Sequence, residues 1–144
     1  MNAYEPFAEG GAEYLADGLL TALRDEGHHA DLLQIPFSDP GKGRLLDRMK
    51  ACSLLSLHNP SQTHVDLVIG LKFPAYLIQH PNKILWIIHQ YRQAYELWDR
   101  KIGHLANEDN GSEMRKAVIA SDNAVLNDAT AVHALSKNVA GRLR

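Results

Sequence analysis

A histidine closing an apolar run is the sharpest chemical signal in the chain. Lys83 to His89 reads KILWIIH, the pattern of a strand buried on both faces. In open α/β sheets, ligands bind beyond the carboxyl ends of such strands, so the His89 imidazole would face a cleft. The alternative is a strand-end histidine hydrogen-bonded for structural reasons alone. Gln90, Arg92 and Tyr95 follow closely and favour the first reading. The planar guanidinium of Arg92 suits a phosphate or an acidic group in a way lysine cannot reproduce; a surface ion pair with Glu96, four residues on, is the competing use. Tyr95 and Trp98 could form an aromatic wall, although their spacing also fits one packed helical face.

The same strand-end logic applies at two other places. Lys72 and Phe73 directly follow VDLVIGL, and Ser136 follows AVHAL. Lys72 and Phe73 would line a ligand pocket, with a solvated loop charge as the plainer account of Lys72. Ser136 would either hydrogen-bond in the cleft or cap the helix starting at Lys137. Near the N-terminus, Gly10 and Gly11 precede a helical pattern. A helix start presents free backbone N–H groups and partial positive charge, and glycine lets a phosphate approach the backbone closely. A glycine pair before a helix is also an ordinary turn, and the pattern GxGxxG is absent.

Metal and thiol chemistry have little support. Adjacent His28 and His29 cannot easily turn both rings to one ion, and no HExxH or Cys/His zinc spacing occurs. No metal is expected. Cys52 lacks a neighbouring base motif and is expected in the core. As the single cysteine it excludes an internal disulfide, which makes a reducing compartment, the cytoplasm, the default address.

The elements that must position these residues alternate between helical and strand patterns. Ala12, Leu15, Ala16, Leu19, Leu20 and Leu23 recur at helical spacing, and Gly27 supplies a stop. His29 to Ile35 reads as a short strand, with a loop from Pro36 to Gly41. A second helix is expected from about Lys42 to Leu57, with Leu45, Leu46, Met49, Cys52 and Leu55 on its apolar side; His58-Asn59-Pro60-Ser61 closes it. Val65 to Leu71 and Lys83 to His89 are strands separated by a helical turn. A further helix carries Met114, Ala117, Val118, Ser121 and Val125, before a strand at Ala131 to Leu135 and a helix from Lys137. The order implies a layered α/β domain with a mainly parallel sheet. Only nine residues precede Gly10, and MNAYEPFAE holds no apolar run. The expectation is that the usual first strand is lacking; the alternative is that Met1 to Phe7 forms a poor substitute.

At 144 residues, 45% apolar and 22% charged, the chain suits one soluble domain with one core. No apolar run reaches the roughly 18 to 20 residues of a membrane helix, and Met1 to Gly11 does not resemble a signal peptide. A net charge of −2 gives no general case for nucleic acid.

Three blocks, in order, resemble the N-terminal domain of family-4-type glycosyltransferases of the GT-B class. PFAEGGAEYLADGL resembles their opening loop and first helix, VDLVIGLKFPAYLIQHPNKILWIIHQYRQAYELW a middle stretch of one subgroup, and SDNAVLNDATAVHALSKNVAGRLR a later segment. The resemblance implies a Rossmann-like half, residues 1–144, of a two-domain enzyme that transfers a sugar from a nucleotide-sugar to an acceptor hydroxyl with retention. Gly10 and Gly11 would approach the donor diphosphate, and Glu13 would orient the helix start or a sugar hydroxyl. His89 would contact the transferred sugar or acceptor near the reacting carbon.

The family's donor-binding domain, with its phosphate-gripping and ribose-gripping residues, has no counterpart here. The chain alone is therefore expected to bind no cofactor tightly and to be inactive by itself. Its expected partners are a sugar acceptor and either a separate donor-binding domain or a second copy. A non-catalytic binding module or truncated gene product is the first alternative. A flavodoxin-like or dinucleotide-binding domain is the second.

Overall fold

The computed structural model describes residues 1–38, 44–58 and 64–143. Among these, five short strands alternate with four helices: β1 (Asn2–Tyr4), α1 (Gly11–Asp25), β2 (Gln34–Pro36), α2 (Arg44–Leu54), β3 (Val68–Lys72), β4 (Lys83–His89), α3 (Gly111–Asp128), β5 (Ala131–Ala134) and α4 (Lys137–Arg142). Single 3-10 turns lie at Ala75–Leu77, Arg92–Ala94 and Leu105–Asn107. The architecture is α/β with parallel pairing throughout: β1 pairs with β2, and β3, β4 and β5 form a three-stranded sheet in that order. Two hydrogen bonds join the groups. The Met1 ammonium donates to the Ile69 carbonyl at 2.6 Å, and Leu71 N–H donates to the Met1 carbonyl at 3.0 Å. They set β1 beside β3, giving the spatial order β2-β1-β3-β4-β5, which is compatible with a Rossmann-like layout.

Local chemistry explains most boundaries. After α1, Gly27 adopts φ +88° and donates to the Arg24 carbonyl while His28 donates to that of Leu23, the paired bonds of a glycine-terminated helix. β1 occupies Asn2–Tyr4, within the stretch the sequence left between a missing strand and a poor one. β2 is correspondingly short. The strand pattern of His29 to Ile35 narrows to Gln34–Pro36, because the ladder extends only as far as the three residues of β1. Pro36 is tolerated there because β2 is an edge strand.

α2 buries Leu45, Met49 and Cys52, whereas Leu46 and Leu55 are exposed, and Leu55 lies past the helix end. The expected helix start at Lys42, the loop residues Asp39 to Gly41, and Asn59 to Ser61 lie outside the described residues. β4 has the expected bounds, but its burial alternates. Lys83, Leu85 and Ile87 are buried, while Ile84, Trp86 and Ile88 are half-buried.

The core sits on the Leu85 and Ile87 side, where α2, α3 and the Ala75–Leu77 turn pack together. Gly70 is required there: a Cβ would stand 2.7 Å from Tyr76 Cβ and 3.0 Å from Leu85 Cδ2. Phe73 joins this core, nearly parallel to Tyr91 (centroids 5.2 Å apart) and edge-on to Phe37 and Tyr76. Among the described residues no helix is long and apolar enough to cross a membrane.

Candidate functional site at the carboxyl edge of the sheet

The strand order fixes where a ligand can enter. From β1 the chain moves outward to β2, then returns past β1 to β3. Side chains beyond the carboxyl ends of β1 and β3 therefore flank the point where the order reverses, the place where open α/β sheets bind ligands. Gly10 and Gly11 follow β1 and open α1; Lys72 ends β3; His89 ends β4 and is the Cα partner of Lys72 across the ladder.

At the start of α1, Glu13 Oε1 lies 3.5 Å from Lys72 Nζ, with both side chains about one-fifth exposed (18% and 21%). The other carboxylate oxygen, Oε2, turns back to 3.3 Å from where a Cβ on Gly10 would stand. Glu13 thus neutralises Lys72 and complements the positive end of the helix together. Gly11 is exposed, and a Cβ there would meet nothing within 4 Å, so the turn is open on that side.

His89 is half-buried. Its Nδ1 lies 2.8 Å from the Gln90 carbonyl. A carbonyl only accepts, so Nδ1 carries the proton and the neutral ring keeps its lone pair on Nε2. Burial pushes its pKa below 6.5; the Gln90 carbonyl opposes the shift, Lys72 and Arg92 add to it, and Glu96 opposes it. The ring is neutral at pH 7 and offers an acceptor nitrogen.

Arg92 makes the anticipated pair with Glu96: its Nε donates to Glu96 Oε1 at 2.7 Å. Arg142 of α4 binds the other oxygen of Glu96. This ties the segment after β4 to the helix after β5. Ser136 is the N-cap of α4; its Oγ accepts from Val139 N–H at 3.2 Å.

The structure brings together Gly10, Gly11, Glu13, Lys72, His89 and Arg92 at this edge. It turns Phe73, Gln90 and Tyr95 inward. Trp98 is half-buried with the Arg115 guanidinium 4.7 Å from its ring centroid. Gln90 and Tyr95 instead reach Asp122, a residue that sequence reasoning passed over. Asp122 is 1% exposed, and its carboxylate accepts from Tyr76 Oη (2.7 Å), Tyr95 Oη (2.7 Å) and Gln90 Nε2 (3.3 Å). Burial raises its pKa to about 6, with the Tyr95, Tyr76 and Gln90 hydrogen bonds pulling the other way. The available signal was its place on the apolar stripe of α3, four residues after Val118 and three before Val125.

No protein-family model, curated protein or solved structure matches the chain. The neutral imidazole acceptor, amine, guanidinium and open helix start at this edge suit hydroxyl-rich or phosphate-bearing ligands. Among the described residues no group of three or more His, Cys, Asp or Glu side chains could hold a metal ion.

Proposed function

We propose that the chain is the acceptor-side, Rossmann-like half of a GT-B glycosyltransferase, whose full reaction transfers a sugar from a nucleotide-sugar to an acceptor hydroxyl with retention. The observation that carries this reading is the convergence of the Gly10-Gly11 turn, the Glu13–Lys72 pair and His89 on the sheet edge where the strand order reverses. His89 Nε2 accepts a hydrogen bond from a sugar or acceptor hydroxyl near the reacting carbon. Lys72 and the free amides at the start of α1 offset negative charge on the donor diphosphate as it departs, the step that most needs donors and positive charge. Glu13 releases Lys72 for that role or binds a sugar hydroxyl itself. The remaining donor contacts belong to a second domain, whether linked, separate or supplied by association. The reaction is assigned to the cytoplasm, in keeping with a lone buried thiol.

The strand order β2-β1-β3-β4-β5 also favours a second reading, a flavodoxin-like mononucleotide-binding domain, since that order is shared with such folds. Calorimetric titration with UDP-glucose, GDP-mannose and FMN separates the two. The glycosyltransferase reading expects weak nucleotide-sugar binding, diminished in Lys72→Ala and His89→Ala, and no transfer by the chain alone. Tight FMN binding would establish the second reading. Turnover by the isolated chain would contradict its assignment as one half of a catalytic unit.

A further inference from the structure

We propose that Asp122 is the positioning residue that fixes the ring orientation and tautomer of His89, acting through Gln90. The proposal rests on His89 belonging to the site, but its test needs no ligand.

β4 ends at His89, and from Gln90 to Trp98 the chain has no regular structure except for the turn at Arg92–Ala94. Such a segment would leave the ring loosely held unless something fastens it. α3 supplies the fastening at two points seven residues apart. Arg115 Nε donates to the Ala94 carbonyl at 2.9 Å. Asp122 accepts from Gln90 Nε2 and Tyr95 Oη on the same oxygen, Oδ2. The two side chains held by Asp122 thus bracket Arg92, and Arg115 fixes the backbone between them.

Gln90 is 5% exposed, and its side-chain oxygen Oε1 is buried without a hydrogen-bond partner among the described residues. Its side-chain amide is held by the bond to Asp122. The same residue's carbonyl is the partner of His89 Nδ1. The chain of contacts therefore runs from Asp122 to the Gln90 amide, through the Gln90 backbone, to the His89 ring. The Nδ1-protonated form it selects is the less favoured tautomer of a free histidine side chain. It is also the form that points the lone pair of Nε2 away from the Gln90 carbonyl. A buried carboxylate with three donors converging on it is costly to desolvate, and specificity of arrangement is a recognised return for such a group.

The test is ¹⁵N NMR of the histidine rings in the full chain. Wild type is expected to show His89 as a single Nδ1-protonated tautomer in its neutral form. In Asp122→Asn and in Gln90→Leu this pattern should give way to a mixture of tautomers. Tyr76→Phe, which removes only the donor on Oδ1, should keep it. Gln90→Leu replaces a half-satisfied amide with an apolar side chain of similar size, so it decides the matter if Asp122→Asn does not fold. A wild-type ring protonated on Nε2, or a single Nδ1 tautomer retained in folded Gln90→Leu, would overturn the proposal. So would equal loss in Tyr76→Phe, which would mean general loosening. Loss in Gln90→Leu and Asp122→Asn alone would establish it. Failure of nucleotide-sugars to bind, with this tautomer pattern intact, would overturn only the glycosyltransferase reading.

Discussion

The two faces of β4 are built to different standards. On one, Leu85 and Ile87 are 0% and 1% exposed beneath α3, and the same face carries the Asp122 network. On the other, Ile84, Trp86 and Ile88 are half-buried and lie outside the main buried cluster. α1 shows a similar half-covered stripe: only Ala16 is buried, with Leu15, Leu19, Leu20 and Leu23 partly exposed. Parallel sheets normally bury both faces. The stretch from Gln90 to Tyr95 at the carboxyl edge is accordingly held from the well-packed side, by Asp122 and Arg115 of α3.

The largest expected effect breaks this comparison directly. Ile87→Ala should cost about 2–5 kcal/mol of stability, and Ile88→Ala, one residue along on the open face, less than half as much. Urea denaturation of the two variants measures both. Equal losses would mean that the faces are equivalent.

Next in size is the pH dependence of the α3 side. The pKa of Asp122 is raised from 3.8 to about 6 in the fold. Between those values the folded chain holds a proton that the unfolded chain has lost, so this group's contribution to stability falls as pH rises from about 3.8 to about 6. A shift of that size corresponds to roughly 3 kcal/mol. Denaturation midpoints across this range should show the decline, and Asp122→Asn should flatten it. An unchanged slope in the variant would place the titration elsewhere.

Smaller still, Ser136→Ala should cost about 1 kcal/mol through loss of the α4 cap, with Ser136→Asp largely restoring it. Thermal unfolding can resolve this, and a neutral Ser136→Ala would deny the cap any energetic role. Smallest of all, Arg92→Ala should change stability by less than about 1 kcal/mol, because its pair with Glu96 is half-exposed and screened. A larger loss would show that Arg92 holds the segment in place by more than this pair.

The alternation of elements was legible because it rests on local periodicity: the bounds of β4, the stop at Gly27 and the buried Leu45, Met49 and Cys52 follow from spacing and backbone preference alone. Strand ends were legible to within a residue, so His89, and Lys72 just past the expected end of its strand, could be singled out. Inward or outward direction beyond a strand end was not, because no period governs an irregular segment. Gln90, Tyr95 and Phe73 turn into the core for reasons of tertiary packing. Asp122 was missed because a lone acid on an apolar stripe is read as an interruption until its donors, 27 to 46 residues away in sequence, are seen around it. The contraction of β2 likewise depended on the length of its partner, β1.

The proposed function depends on ligand chemistry at the carboxyl edge between β1, β3 and β4. The most direct test is NMR shift mapping of the ¹⁵N-labelled chain titrated with a nucleotide-sugar. The amides of Gly10 and Gly11 and the ring nitrogens of His89 are expected to move together, while Trp86 and its neighbours on the half-buried face stay fixed. Shifts confined to the Ile84, Trp86 and Ile88 face, or none at Gly10, Gly11 and His89 at saturation, would contradict it.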